Sequence, residues 1–338
     1  MTDDNTMMQR DRALGALHGL SLGDALGMPT QSMSAEWIAE AYGRITDLTD
    51  AIADQPIAPN MHAGAVTDDT EQALLVGGLI VDGAGHIDLK ALARTLLDWE
   101  NSMKARGSFD LLGPSTKLAL EQVRDGADIT TTGRTGTTNG AAMRVTPVGM
   151  AHSLNDEHFA DYVYESCRVT HNTKPGFQGA FMVAAVVSLG IDGMDAHEAM
   201  ECALDEVVRI EPRGAWSPRA SVVARTRLAL TLAGSVVDDD EFLDRLRAEV
   251  GTSVESNESI AAAFSLAWRY ANEPIKALLA AANVGGDTDT IAAIAGAMLG
   301  AAGGAFPEPM LGTVCKVSHL DLEPLVDSLL EIRSGVNE

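Results

Sequence analysis

Two short acidic segments hold the residues in this sequence best suited to chemistry. Thr67-Asp68-Asp69-Thr70 stands immediately before an apolar run from Glu71, and Gly286-Asp287-Thr288-Asp289-Thr290 immediately before another from Ile291. Asp and Thr are good helix N-caps, and carboxylates are favoured at the positive end of a helix, so capping explains either segment taken alone. Together they exceed what capping needs. A cap uses one side chain, whereas these segments offer four carboxylates and several hydroxyls beside very apolar helices. Clustered carboxylates repel one another unless a cation neutralises them. Oxygen donors without His or Cys suit Mg2+, Mn2+ or Ca2+ rather than zinc. If folding brings the two helix starts together, the pattern predicts a two-metal site about 3.5–4 Å across.

A third segment could hold an anion. Gly126 to Gly140 is dominated by Thr and Gly and reads as a long loop ending at Asn139-Gly140. Such a loop can bring backbone N–H groups close to a negative ligand, and it can equally be an ordinary flexible connection.

The elements that must position these segments read as helices. Glycines recur at Gly15, Gly19, Gly23 and Gly27 in Ala13–Gly27, forming one smooth ridge that lets another helix approach closely, and Pro29 ends the element. Asp24, inside that apolar helix, needs a partner if buried and reads as structural rather than as a ligand. Glu71–Val81 and Phe177–Leu189 are apolar nearly all round and are expected to be buried helices. Ala91–Met103, Pro114–Arg124, Ala220–Leu232 and Ser259–Tyr270 read as further helices. In Ile291–Ala305, Ile291, Ile294, Met298 and Leu299 form a helical stripe on an Ala/Gly background. No convincing strand alternation, tandem repeat or linker appears. The simplest expectation is one all-α domain over residues 1–338, with its core at about 11–333.

Composition agrees. The chain has 338 residues, 46% hydrophobic but only 4% aromatic, so the core must be built from Ala, Leu, Val, Ile and Met, which suits close-packed helices. Lys plus Arg number 24 against 48 Asp plus Glu, a net charge of −24 that argues against general nucleic-acid binding. It does not exclude an anionic small substrate, because a bound cation inverts the local field. Cys167, Cys202 and Cys315 are scattered and odd in number, as in a reduced, intracellular protein. Met1 to Arg12 lacks the basic start and apolar run of a signal peptide, and apolar stretches such as Ala180–Ile191 fall short of a membrane span. A cytoplasmic protein without membrane association is expected.

The acidic motifs, read with Gly19–Pro29 (GLSLGDALGMP), Asn139–Pro147 (NGAAMRVTP) and Thr170-His171, resemble the ADP-ribosylglycohydrolase family, with the motifs in that family's order from Ala13 to about Ala305. The resemblance implies a compact, orthogonal helical bundle holding two Mg2+ ions, or Mn2+ in their place. By motif match, Thr67, Asp68 and Asp69 would supply one side of the metal site, and Asp287, Asp289 and Thr290 the other. Asn139, Gly140, Ala141 and Ala142 match the segment whose backbone holds the diphosphate or ribose, and His171 matches a position lining the substrate cleft. One departure stands out. Many members carry a Glu shortly after the GDALG segment, proposed to act on the substrate or the catalytic water, where this chain has Pro29-Thr30-Gln31. Gln31 cannot accept a proton as a general base, though it can hydrogen-bond.

The expected function is hydrolysis of the glycosidic bond at C1 of a ribose, in ADP-ribosylated protein or ADP-ribose derivatives. The ions would orient ribose hydroxyls and a water, and Asp68 or Asp287 would assist in place of the missing Glu. The main alternative, favoured by Gln31, is a nucleoside-type N-ribohydrolase acting on a smaller riboside. A second is a non-catalytic binding or structural protein on the same fold, against which the intact acidic motifs argue.

Overall fold

Helices and loops account for the described residues. In the computed structural model, which describes residues 2–106 and 112–335, seventeen α-helices follow one another. They are α1 (Thr2–Gly27), α2 (Ala35–Tyr42), α3 (Asp68–Asp82), α4 (Leu89–Ala105), α5 (Pro114–Arg124), α6 (Gly140–Met143), α7 (Thr146–Ala151), α8 (Phe159–Cys167) and α9 (Lys174–Ile191). After these come α10 (Ala196–Arg209), α11 (Val222–Ser235), α12 (Asp239–Arg245), α13 (Ser256–Arg269), α14 (Pro274–Val284), α15 (Thr288–Ala301), α16 (Glu308–Val317) and α17 (Glu323–Arg333). Among the described residues no sheet forms, only three isolated bridges: Met33 with Gly286, Thr138 with Glu255, and Thr173 with Ala215. The all-α expectation is met.

The centre of the molecule is α9 and α15. Every residue from Pro175 to Ile191 and from Thr288 to Ala301 is buried. Helix α9 is rich in Ala, Val and Gly, and α15 in Ala with Ile and Gly, as the scarcity of aromatics requires. The α9 helix, with 18 residues, is long and apolar enough to cross a membrane by length and composition, longer than the stretch read from the sequence. It is 94% buried inside the fold, as the core helix of a globular protein is.

Against α15 lies α1, and the glycine ridge is their seam. A Cβ added at Gly15 would stand 2.8 Å from the Gly300 carbonyl oxygen. At Gly19, Gly23 and Gly27 it would overlap the carbonyls of Gly296, Ala292 and Thr288 in turn. The pairing steps down α15 by four residues for every four up α1, so the helices run antiparallel in fixed register with backbones touching. Two links follow from the sequence spacing. The C-terminal end of α1 is carried to the start of α15, and Asp24, one residue past Gly23, is delivered to the start of α3.

Several boundaries differ from the sequence reading. The α1 helix already runs from Thr2, because tertiary contacts hold its polar first turns: Arg10 donates to Glu323 and Asp327, and Arg12 to the Gly190 and Met194 carbonyls. The α15 helix stops at Ala301 rather than Ala305, because Gly303 turns the chain at φ 90°. Helices α2, α10 and α12 escaped the reading although their caps were present. Ser34, Asp195 and Asp238 each accept the backbone N–H three residues on, as N-caps do.

Candidate active site

The start of α15 is set by two glycines in the left-handed region, Gly285 (φ 80°) and Gly286 (φ 85°), where other residues would be strained. This turn is pinned on both sides. The Ser32 N–H donates to the Gly286 carbonyl (2.7 Å), the Gly286 N–H to Met33 (2.9 Å), and the Asp287 N–H to Thr252 (2.8 Å). Asp287 and Asp289 therefore leave the turn in a direction their own helix does not choose.

The start of α3 is set by Asp24. Its carboxylate accepts the Thr67 N–H at 3.0 and 3.1 Å, the Thr67 hydroxyl at 2.7 Å, the Thr70 N–H at 3.1 Å and the Thr70 hydroxyl at 2.5 Å. Asp24 is fully buried; burial pushes its carboxyl up to about 6, and these hydrogen bonds pull the other way. It thus caps α3 from a different helix. Thr67 and Asp287 stand at the N-cap positions of α3 and α15 and make no side-chain cap hydrogen bond. At α3 an outside residue does the capping, whereas at α15 Asp289 Oδ1 accepts the Thr290 N–H of its own first turn (2.9 Å). Asp24→Ala should leave two buried N–H groups without acceptors and cost roughly 2–5 kcal/mol in urea unfolding with chelator present. A loss under about 1 kcal/mol would show that solvent replaces the carboxylate and that Asp24 does not hold α3.

The two motifs meet. Thr290 donates its hydroxyl to Asp69 Oδ2 at 3.1 Å across the junction of α15 and α3. Asp68, Asp69, Asp287 and Asp289 are all buried. Burial pushes the Asp69 and Asp289 carboxyls well above the usual carboxylate range. The mutual proximity of these aspartates and Asp24 pushes the same way. Burial also raises Asp287, to about 6, against a hydrogen bond from Asn139. Asp69 Oδ1 and Asp289 Oδ2 are buried with no hydrogen-bond partner. Such oxygens cost free energy unless something positive meets them. Among the described residues, no three His, Cys, Asp or Glu side chains close into a ready cation cage. The donor set that does fit a hard cation mixes carboxylates with the hydroxyls of Thr67 and Thr290.

Over the junction opens a cleft of about 280 Å3, lined by Asp68, Asp287 and Thr290 on the acidic side and by Gln31, Thr138 and Asn139 opposite. The Asn139 amide reaches across to donate to Asp287 Oδ2 (2.5 Å) and to the Ser259 hydroxyl (3.0 Å). Gln31 ends the 3-10 turn after α1, and its side-chain oxygen is buried without a partner. Its carbonyl is held by Gln55, whose amide also donates to Met28 and whose oxygen accepts the Ile57 and Ala58 N–H groups. One buried amide thereby pins the loop carrying Ile57 to the cleft rim.

A profile of the ADP-ribosylglycohydrolase family matches residues 5–337. The chain belongs to the ADP-ribosylglycohydrolase family. In Escherichia coli (strain K12), the relative named "Uncharacterized protein YegU" is 31% identical over 330 residues, spanning 96% of this chain and 98% of its own length. The Pseudomonas putida (strain GB-1) protein named ADP-ribosylarginine hydrolase Tri1 is 28% identical, over 94% of this chain and 80% of its own. A solved structure named "ADP-ribosylglycohydrolase-related protein complex" superposes with a TM-score of 0.66 at 22% identity, covering 96% and 99% of the two chains; at that identity the likeness bears on the fold. Membership in this glycohydrolase family makes the chain a glycosidase.

Most residues carried over from the family motifs gather at the cleft or directly beneath it: Gln31, Asp68, Asn139, Gly140, Asp287 and Thr290 line it, and Asp69 bonds to Thr290. Ala141 and Ala142 lie under Gly140 in the buried turn of α6. His171 is the exception. It is fully buried behind the loop, its Nδ1 on the Thr170 hydroxyl (2.8 Å) and its Nε2 on the Thr138 hydroxyl (3.0 Å). Its ring packs under Gly140, where an added Cβ would meet Cε1 at 3.0 Å. It supports the loop rather than lining the cleft, and burial holds it neutral, with a pKa well below the usual histidine range. Sequence reasoning missed Gln72 and Arg144. Gln72 lies one turn after Asp68 on α3 and donates to Asp68 Oδ2 at 2.9 Å. Arg144 is fully buried and donates to Gln72 Oε1 (3.1 Å) and the Thr170 hydroxyl (2.6 Å). The signal for Arg144 was a lone cation inside the apolar run Gly140–Ala151.

Proposed function

We propose that this glycosidase hydrolyses the bond at C1 of a ribose in ADP-ribosylated protein or an ADP-ribose derivative, with Mg2+ or Mn2+ held by Thr67, Asp68, Asp69, Asp287, Asp289 and Thr290. The observation that carries the metal is the pair of orphaned, buried oxygens, Asp69 Oδ1 and Asp289 Oδ2, in a donor set made only of oxygen. Bound there, the ions would supply the positive charge against which ribose hydroxyls and a water are oriented. In the reaction the water oxygen bonds to C1 as the bond from C1 to the leaving group breaks. The bond's electron pair departs with the leaving group, and the water's proton passes to a carboxylate and from it to that leaving group. Asp287 suits that role: it lines the cleft, and Asn139 fixes its orientation. Asp68, also on the cleft wall, is the other candidate. The name of the Tri1 relative supports an ADP-ribosyl substrate.

Two observations favour a smaller riboside as the second reading. The cleft volume of about 280 Å3 is at the low end for ligand pockets, and Gln31 stands at its wall without a titratable group. The deciding experiment is a panel assayed with Mg2+: ADP-ribosyl-arginine, ADP-ribosyl-serine, O-acetyl-ADP-ribose and several nucleosides, scored for released ADP-ribose or ribose. Release of ribose from nucleosides alone would replace the first reading by the second; no release from any would sink both. The three cysteines, all free, fit the cytoplasm, where we place the protein.

Gln31→Glu should change the pH profile or the substrate preference without unfolding the protein, since it puts a titratable group on the cleft wall where an amide stood. Unchanged kinetics on every active substrate would show that Gln31 is remote from the chemistry.

A further inference from the structure

We infer that Arg144 is a positioning residue with two arms. Through Gln72 it fixes the Asp68 carboxylate as a cation donor, and through Thr170 and His171 it fixes the donor that Thr138 presents to the cleft. The inference rests on the metal-dependent reading above and assigns a task to a cation which that reading does not use.

A buried guanidinium is costly, and its usual justification is a carboxylate partner. Arg144 has none in hydrogen-bond contact. Its Nη1 and Nη2 go to the neutral oxygens of Gln72 and Thr170, and its Nε goes unpartnered. What it supplies is direction, because a guanidinium only donates. Gln72 must turn its Oε1 to Arg144, so its Nε2 faces Asp68 Oδ2. The Thr170 oxygen accepts from Nη2, so its own proton goes to His171 Nδ1. His171 is neutral, so its proton sits on Nε2 and is donated to the Thr138 oxygen. Thr138 then has its hydroxyl proton left to give, and Thr138 lines the cleft. Each arm is a one-way chain that starts on the same buried charge and ends on the cleft wall, one on the cation side and one on the substrate side.

The test measures Mn2+ affinity by calorimetry without substrate, and ADP-ribose affinity in Mg2+, for wild type, Gln72→Met, Thr170→Val and Asp289→Asn. Melting in chelator confirms that each variant folds. Gln72→Met should bind Mn2+ 10- to 100-fold more weakly, the usual effect of losing a partner that orients a metal ligand. Thr170→Val takes one hydrogen bond from the same guanidinium. It should keep Mn2+ affinity within about threefold and weaken ADP-ribose by about tenfold, the worth of one well-placed hydrogen bond. If both variants weaken Mn2+ alike, or Gln72→Met leaves it unchanged while Asp289→Asn abolishes it, Arg144 is only a packing element and the inference fails alone. If Thr170→Val leaves ADP-ribose affinity unchanged, the second arm fails. A wild type that binds no Mn2+ overturns the metal reading, and the inference with it.

Discussion

Chelator-stripped protein given Mg2+ or Mn2+ should melt a few degrees higher, and Asp289→Asn should lose most of that gain. In the stripped protein, Asp68, Asp69, Asp287 and Asp289 are buried at the junction of α3 and α15, and the raised pKa values of Asp69, Asp287 and Asp289 record what that burial costs their ionised forms. An ion that binds only the folded state stabilises it by about 2.7 kcal/mol at roughly a hundred times its dissociation constant. In a chain of this length that is a shift of a few degrees. The variant carries one charge fewer, so without metal it should melt no lower than wild type. Catalysis by Asp68→Ala or Asp289→Ala should be lost along with metal binding. The pH dependence has a definite sign. A carboxyl raised in the folded state favours folding when protonated, and that contribution disappears as pH rises through the folded value. For Asp24 and Asp287 the window runs from about 4 to about 6. The buried His152, lowered to about 4, acts oppositely over the same range, since it must stay neutral, and burial lowers His171 in the same direction. They are present with and without metal, so the difference between the two melting curves isolates the carboxylates. The metal-induced rise should be greatest near pH 8 and fade below about 6, where protons displace the cation. Full activity in excess chelator would end the metal reading. An Asp289→Asn variant that melts far below wild type in chelator would make Asp289 a hydrogen-bond partner rather than a ligand.

The second large effect is on stability. Gly23→Ala should destabilise by about 3 kcal/mol or more, and Gly19→Leu should prevent stable folding. At Gly23 the new Cβ overlaps the Ala292 carbonyl and crowds the Ala293 nitrogen; at Gly19 it overlaps Gly296 and meets the Phe306 ring at 2.9 Å. The opposing atoms at both seam positions are chiefly backbone, which cannot rotate away, so relief requires the whole of α1 to lift from α15. That exceeds the 1–3 kcal/mol typical of overpacking among movable side chains. Gly78 in α3 is the internal comparison. Nothing lies within 4 Å of its added Cβ, so Gly78→Ala should instead stabilise by about 0.5–1 kcal/mol through helix propensity. If Gly23→Ala and Gly78→Ala have the same sign in urea unfolding, the seam is looser than described.

The seam was legible because its information is local: four glycines at one spacing have few other uses. The acidic motifs were legible for a similar reason, as four carboxylates exceed what two caps need. That Asp24 would do the capping was half visible, since a charge in an apolar helix demands a partner but does not name it. The relay through Gln72 and Arg144 was not visible. Its members, together with Thr170 and Thr138, come from separate parts of the chain, and only Arg144, a lone cation in an apolar run, is marked by its neighbours in sequence. His171 was chosen by resemblance and lies one layer deeper than that implied; burial depth depends on how Thr138 and Gly140 pack over it, which spacing along the chain does not encode. Helix α10 was missed although Ala196, Ala199, Met200, Ala203, Leu204 and Val207 make an unbroken helical stripe, and α12, seven residues long with only Phe242 and Leu243 buried, is too short for periodicity to mark.

The glycine seam between α1 and α15 also limits how the molecule can move. Where side chains interdigitate, two helices can slide a fraction of an ångström as rotamers adjust. Here each glycine faces a carbonyl every four residues, so a shift of one residue would place a methyl or larger group where only hydrogen fits. The next register without such a clash is a full repeat away, about 6 Å along the axis. The two helices therefore behave as a ratchet with one occupied notch, and the parts of the site they carry, Asp24 on one and Asp289 on the other, keep a constant separation while substrate enters and leaves. Any opening of the cleft falls to what is not on the ratchet: the loop that Gln55 pins at the rim and the loop that His171 supports from behind.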